Sequence, residues 1–477
     1  MKINKNVVVL ILALAVLFIS RFLYLEKSAR FTRDESSDLA RMHAYWQEKK
    51  ITLVGPISND NIKVFSSLTY YMQMPFAAAY NFRPVGPVVG TAFWGVITIL
   101  LVVFASDYQK NKLQFSVGSV AFLFLVVLWT PLLVTSRWAW NPHLVPFWIA
   151  LALFTRTLSW RWKYLLVGLS FGMALHNHYI AIFSVLTFSI IEAVLLLKKK
   201  LWLNTLSLFG GLFLAVMPFL LFDLRHPPGL FLSSYLKSDA PNIVESQDLA
   251  LFDNLLRNGA FALEEVAGPI FIQIPWLLLF CCLVFFDLKN SKNHFLFLLP
   301  VLAQVIGPVV VDGYHQRYFL PATVFLLLWM ALQRKNNARK VAFLLILTTV
   351  IGSVYRLPAA FSVPEQVAPM SVVTEVRNQI VSIVHKNHVK NPNIAVITGE
   401  DLDSLAEKYR DLLSIDGISF RAASEYDASE NLFVISTADE DSVRNDQNVS
   451  MQLFGDTRLI EVRDLNDGSW KLYWFGI

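Results

Sequence analysis

The sequence predicts an all-α polytopic membrane domain of about eleven transmembrane helices, followed by a small α/β soluble domain. Three observations predict it. The 477 residues are 55% apolar, with a mean hydropathy of +0.48. Only 16% are charged, against roughly 25% in ordinary soluble domains. The charge is also divided: residues 1–362 carry 31 Lys and Arg against 17 Asp and Glu, and residues 363–477 carry 10 against 19. A basic, apolar body and an acidic tail exclude a disordered chain and an ordinary soluble enzyme. The basic residues lie in short connections between apolar runs, as membrane topology requires, so they do not argue for nucleic acid as a partner. Cys281 and Cys282 are adjacent, which provides neither a disulfide framework nor spaced zinc ligands.

The first apolar run, Val7 to Ser20, follows Lys2 and Lys5 and precedes Arg21. Its helical pattern continues through Glu26 without a clear small-residue cleavage site, so it reads as a retained signal anchor. Ten more apolar runs lie near 84–105, 115–135, 142–155, 163–175, 179–197, 203–222, 268–286, 294–311, 317–333 and 341–357. Most approach the roughly 17–25 residues that cross a bilayer; 142–155 and 163–175 are short. Lysine and arginine provide an independent check. With the N-terminus cytoplasmic and every run spanning, the inner connections hold sixteen basic residues, and the short outer ones hold Arg137 and Arg317. That is a positive-inside pattern, and it requires the chain to turn at His176-Asn177-His178. The C-terminal domain is then extracytoplasmic, and the outer loops 26–83 and 223–267 are long. The domains read as 1–362, membrane, and 363–477, soluble. In the tail, helical patterns near 366–388 and 402–414 accompany strand-like segments at 394–398, 432–437, 458–462 and 470–475. Asp467-Gly468 suits a hairpin between the last two.

This topology gathers polar chemistry on one side. His43, His143, His176, His178, His226 and His315 fall at the outer face, and His294 alone of the first seven histidines is inner. Asp34, Glu35, Asp38, Asp223, Arg137, Arg225 and Arg317 share the outer side. Ionisable groups beside apolar spans are costly and mark functional sites, although any one of these residues is equally at home in a wet loop. In FTRDESSD, Asp34 and Asp38 are four apart and share a helical face. A carboxylate held there can act as a base toward a hydroxyl; the plainer reading is an acidic helix N-terminus stabilised by the dipole. In SRWAWNPH, Pro142 suits a helix start with Asn141 as its cap, presenting Arg137 and His143. HNHY places His176, His178 and Tyr179 at a helix break, where Tyr179 and the tryptophans near 138–140 are equally interfacial anchors. FDLRHPPG ends a span with Asp223, Arg225 and His226 before two prolines. HQRYFLPA brings His315 and Arg317. Arginine's planar fork suits an anionic phosphate headgroup.

These pieces, in this order over roughly residues 5–335, resemble the GT-C superfamily of polytopic membrane glycosyltransferases. The likeness is to protein O-mannosyltransferases, the aminoarabinose transferases of lipid A and their bacterial relatives. The carriers are FTRDESSD, WNP, HNHY, FDLRHPPG and HQRYFLPA. The chain departs from many relatives at Phe65-Ser66-Ser67, where they carry His-Gly-Pro before a tyrosine pair, so the resemblance does not name the donor sugar.

The resemblance implies an inverting glycosyltransferase of the plasma membrane. It would move a sugar from a polyprenyl-phosphate donor to a hydroxyl of a lipid, glycan or protein acceptor at the outer face. Asp34, with Glu35 beside it, would be the catalytic pair. Arg137, His143, His176, His178, Tyr179, Asp223, Arg225, His226, His315 and Arg317 would bind the lipid phosphate or the sugar. No cofactor is assigned; a divalent metal, Mg or Mn, is compatible with Asp34, Glu35 and His178. The competing readings are a flippase or transporter for a lipid-linked sugar, a non-catalytic scaffold whose tail binds, and a ligase using a diphosphate-linked oligosaccharide. A carrier predicts polar groups along a mid-membrane path, and mid-span charge is scarce, Glu192 being the main case.

Overall fold

The computed structural model describes residues 5–57, 64–111, 122–123, 125–227, 229–231, 251–290, 295–310, 316–333, 336–363, 367–397, 405–455, 458–465 and 468–477. The first elements are α1 (Lys5–Phe22), α2 (Arg33–Glu48), the strands β1 (Val54–Ile57) and β2 (Val64–Ser66), α3 (Leu68–Ala79) and α4 (Val85–Asn111). Then come α5 (Thr130–Thr135), α6 (Val145–Thr157), α7 (Lys163–Asn177), α8 (Ile182–Lys198) and α9 (Trp202–Arg225). They are followed by α10 (Leu251–Ala267), α11 (Ile270–Asn290), α12 (Phe295–Ile306), α13 (Leu320–Ala331) and α14 (Asn336–Ala360). The tail holds α15 (Met370–Asn387), β3 (Pro392–Ile397), α16 (Glu407–Ser414), β4 (Asn431–Ser436), α17 (Glu440–Arg444), α18 (Val449–Phe454), β5 (Arg458–Leu465) and β6 (Trp470–Gly476).

The chain forms two compact units. One comprises Met1–Leu23, Thr52–Thr69 and Thr91–Ala360; the other comprises Tyr24–Ile51, Tyr70–Gly90 and Phe361–Ile477. This differs from the division at 362/363 read from composition, because most of the stretch 26–83 belongs with the tail. The reason is visible in side chains. Ser36 of α2 donates its hydroxyl to the Lys408 carbonyl of α16, Arg33 pairs with Glu407 at 2.5 Å, and Arg377 donates to the Phe82 carbonyl at 3.1 Å.

Among the described residues, five helices are long and apolar enough to cross a membrane: Val85–Ser106, Tyr179–Lys198, Trp202–Arg225, Ile270–Lys289 and Asn336–Ala360. Eleven spans are not established. The runs at 142–155 and 163–175 form helices of 13 and 15 residues, and those at 294–311 and 317–333 form helices of 12. At 1.5 Å per residue such helices reach only about 18–23 Å, short of a ~30 Å hydrocarbon core. In the run at 115–135, residues 115–121 and 124 lie outside the described residues, and the short helix α5 ends it. Two elements in the connections 26–83 and 223–267 carry no apolar-run signal: the antiparallel β1–β2 pair and the amphipathic α10.

Helices α7 and α9 meet through glycines. A Cβ on Gly168 would lie 2.0 Å from the Leu208 carbonyl oxygen, and one on Gly211 would lie 2.1 Å from that of Leu165. One turn on, a Cβ on Gly172 would lie 2.2 Å from the Ala215 Cβ. Small residues on both faces let the two backbones touch. Around them Phe171, Phe188, Phe325 and Trp329 form a buried aromatic core. Glu192 is spent on structure: it accepts both guanidinium bonds of Arg156, at 2.8 and 2.9 Å, and the Tyr164 hydroxyl at 3.0 Å.

In the second unit the tail forms a four-stranded sheet in the order β3-β4-β6-β5. The β3–β4 pair is parallel; β4–β6 and β5–β6 are antiparallel. The two edge strands differ: β3 is buried throughout, whereas β5 alternates, with one face exposed to solvent. Leu432, Val434, Tyr473 and Phe475 make its core with Val443 and Phe454. The turn between β5 and β6 includes Gly468 at φ +87°, while Asp467 lies outside the described residues.

Candidate active site

The acidic motif opens α2, and the structure gives its three carboxyls three different environments. Glu35 is 4% exposed and closes a capping box: one carboxylate oxygen accepts the Thr32 backbone N–H and the Thr32 hydroxyl, both at 2.6 Å. Asp34 is half-buried in the first turn, where the helix dipole favours an anion. Asp38, one turn on, is buried and accepts the Tyr70 hydroxyl at 2.6 Å. Burial pushes the Asp38 carboxyl up to about 7, against the pull of the Tyr70 hydrogen bond and Arg41. Burial, with Asp38 beside it, likewise drives the Tyr70 phenol well above its ordinary value. Arg41 bonds the Tyr70 hydroxyl, and its own value is raised by Tyr70 and Asp38 against desolvation.

The same unit holds α2 from the tail side. Beyond the Ser36 and Arg33 contacts, Asp411 of α16 is raised by burial, with Arg41 and Arg33 pulling it down. Arg377 grips Asp416 with two bonds, at 2.6 and 2.8 Å. His43 lies edge-on to Phe82 at 4.8 Å; desolvation and the nearby Arg377 lower it.

In the first unit the histidines are built into a polar and aromatic cluster. His176 Nε2 faces the Ala215 carbonyl at 2.7 Å, and Nδ1 faces the Ser66 hydroxyl at 3.2 Å. The carbonyl requires a proton on Nε2, which assigns a neutral ring accepting from Ser66. His178 packs between Phe65, at 5.3 Å, and Tyr179, at 4.9 Å, and its Nδ1 accepts the Ile180 N–H at 3.3 Å. Tyr179 also stacks on Phe65 at 6.0 Å, and Tyr318 closes on His178 at 6.1 Å. Gln304, fully buried, holds this corner together: its amide donates to the Ile180 and Tyr318 carbonyls and accepts from Ser184. Just beyond, Ile182, Phe183, Leu186, Thr187, Ala303, Ile306 and Gly307 line an apolar groove of about 420 Å³.

The other expected residues are placed as follows. Arg137 donates to the carbonyls of Ser20, Arg21 and Leu23, at 2.9, 3.1 and 2.8 Å, capping the end of α1. His143 lies against the stacked Trp138 and Trp140, with Nδ1 2.8 Å from the Trp138 carbonyl. Asn141 does not cap a helix start as expected. Its amide donates to the Asn177 carbonyl, because a 3₁₀ turn through Asn141–Leu144 precedes α6 and aims the side chain at the HNHY break. Asp223 accepts the Leu230 and Phe231 N–H groups, at 2.8 and 3.0 Å, and so folds back the chain after α9. Arg225 and His226 are exposed at the same helix end. His315 and the Arg317 side chain lie outside the described residues. Sequence reasoning missed Tyr70, Arg41, Phe65, Ser66 and Gln304. The last was detectable as an amide alone in the apolar run FLFLLPVLAQVI. Among the described residues, no three His, Cys, Asp or Glu side chains converge as a metal site.

No family model and no curated protein matches the sequence. The fold does match solved structures. ArnT from Cupriavidus metallidurans bound to undecaprenyl phosphate superposes with a TM-score of 0.58, covering 98% of this chain and 97% of that one at 10% identity. The apo state of the same protein gives 0.57 over the same shares, at 10% identity. The chain shares the fold of ArnT. The Archaeoglobus fulgidus oligosaccharyltransferase in the apo form matches at a TM-score of 0.49, with 12% identity, over 91% of this chain and 70% of that one. The likeness to ArnT covers 98% of this chain, so it extends past the stretch from 5 to 335 that carried the sequence resemblance.

Proposed function

We propose that this chain is a membrane glycosyltransferase that moves a sugar from a polyprenyl-phosphate donor to an acceptor hydroxyl at the outer face of the membrane. The observation that carries the reading is the full-length likeness to ArnT, a structure that holds undecaprenyl phosphate. The chemistry of the described residues supports it. Asp34 stands at a helix N-terminus while Glu35 serves the cap and Asp38 is buried on Tyr70. Asp34 takes the proton of the acceptor hydroxyl. The oxygen bonds to the anomeric carbon from the side opposite the phosphate, inverting it. The old carbon–oxygen bond breaks, and its electron pair leaves with the polyprenyl phosphate. Arg225 or Arg317, with His315 assisting, neutralises the leaving phosphate. The half-buried rings of Phe65 and Tyr179 suit a sugar ring, and the apolar groove beyond them suits a prenyl chain. Positioning and fixed charge do most of the work.

A carrier is disfavoured because Glu192 is tied to Arg156 and Tyr164. The test is transfer by the purified protein from radiolabelled polyprenyl-phosphate sugars to membrane lipids and cell-wall fractions, with and without EDTA. Wild-type transfer that Asp34→Asn lacks, at equal protein level, is the expected result. Full activity in Asp34→Asn would remove Asp34 from the role. Loss of transfer in EDTA, restored by Mg or Mn, would add a divalent ion to the mechanism.

A further inference from the structure

Asp34 and Asp38 stand one turn apart on one face of α2. A base beside a second carboxylate gains a like charge at close range, so the state of Asp38 bears on how Asp34 works. The geometry around Asp38 is specific. Its carboxyl is 8% exposed, and the hydroxyl of Tyr70, itself fully buried, donates to it at 2.6 Å. That hydroxyl in turn takes an N–H of Arg41, from the next turn of α2. The groups facing Asp38 are therefore Asp34, Glu35 and Arg41 on its own helix and Tyr70 on α3. From α16, Asp411 faces Arg41 and Arg33.

We propose that Asp38, clasped by Tyr70, is a positioning residue for the transfer: it anchors the helix that presents Asp34 while adding no second charge beside it. The proposal rests on the reading of Asp34 as the base. Burial, with Glu35 and Asp34 nearby, favours the uncharged form of this carboxyl against the pull of Tyr70 and Arg41. It holds that form below pH 7 and is half ionised at about pH 7. Above that pH it ionises and sets a negative charge one turn from Asp34, where the anionic donor has to approach. Wild-type transfer then weakens through the KM for the donor, with kcat less affected.

The experiment uses the full chain in lipid nanodiscs, with the undecaprenyl-phosphate sugar that supports wild-type turnover as donor and undecaprenyl phosphate itself as binding probe. KM and kcat are followed from pH 5.5 to 9. Asp38→Asn keeps the shape without titrating: its kcat at pH 7 stays within about threefold of wild type, and the alkaline rise in KM disappears. Tyr70→Phe removes the hydrogen bond that favours the carboxylate, so the rise moves to higher pH. Asp38→Ala loses about tenfold or more in kcat. An Asp38→Asn profile that rises like wild type, or an Asp38→Ala enzyme as active as wild type, overturns the proposal even when Asp34→Asn is inactive. If Asp38→Ala does not fold, the Asn and Phe variants decide. An active Asp34→Asn overturns the base reading instead; the pH dependence of undecaprenyl phosphate binding, wild type against Asp38→Asn, then shows whether the Asp38 charge acts on donor binding.

Discussion

Asp34 and Glu35 are neighbours in sequence, yet their environments assign them different work. Glu35 gives one carboxylate oxygen to two donors of Thr32, so Glu35→Ala is expected to cost about 1 kcal/mol of stability. That loss is read as a lower melting temperature, while kcat of the folded protein changes little. Asp34→Asn is expected to do the reverse. Asp38 adds a pH effect of its own. Its carboxyl titrates near 4 in an unfolded chain and near 7 in the fold, so the fold binds an extra proton between those values. Stability from this group is complete below about pH 4 and is lost as pH rises toward 7. Melting curves of Asp38→Asn should lack that decline; a wild-type curve with the same slope as the variant would refute it. At this scale the sequence marks the acidic motif and its helical spacing, and Thr32-x-x-Glu35 even spells a capping box. It does not show which acid meets Tyr70, because that contact joins positions 32 residues apart. Nor does it show that Arg137 serves carbonyls at the end of α1, more than a hundred residues away.

The helices of the first unit follow hydropathy closely, since an apolar helix in a bilayer satisfies its own backbone. Their contacts are another matter. Gly168 and Gly211 are ordinary glycines in apolar runs until α7 and α9 are laid together. Each then occupies a place where a Cβ would overlap the facing carbonyl. Gly168→Leu or Gly211→Leu is expected to force the helices apart and cost about 1–3 kcal/mol or more, read as lost thermal stability in detergent. Gly210, next in line and open to space, should tolerate alanine with no comparable loss. The elements that escaped the sequence reading are those without a long apolar run. Helix α10 shows one apolar face only, and β1–β2 is too short to declare itself by alternation. Ser66 of β2 nonetheless reaches His176, so part of the polar cluster depends on an element the periodicity hides.

For the molecule as a whole, composition separates a basic apolar body from an acidic tail, but it divides the chain by sequence. The fold divides it by contact. Residues 24–51 and 70–90 leave the apolar stretch and join the tail, through bonds such as Ser36 to Lys408 and Arg377 to Phe82. A composition shift cannot reveal such an exchange, because α2 and α16 are both ordinary charged amphipathic helices. The consequence is measurable. Lys408 backbone contacts and the Arg33–Glu407 pair hold α2, so Arg33→Glu with Ser36→Ala should speed amide exchange across residues 33–48. Exchange in β3 and β4 should stay unchanged. Uniform loss of protection in both regions would contradict a local hold.

The second unit is closed by residues more than three hundred positions apart, and this bears on how the protein is made. A ribosome delivers α2 more than three hundred residues before α16. Throughout that interval the acid-bearing helix lacks the backbone carbonyl and the glutamate that fix it. A nascent or truncated chain that stops before residue 407 therefore carries Asp34 on a segment without these two anchors. Synthesis of α16 is in this sense the step that fixes the acidic helix.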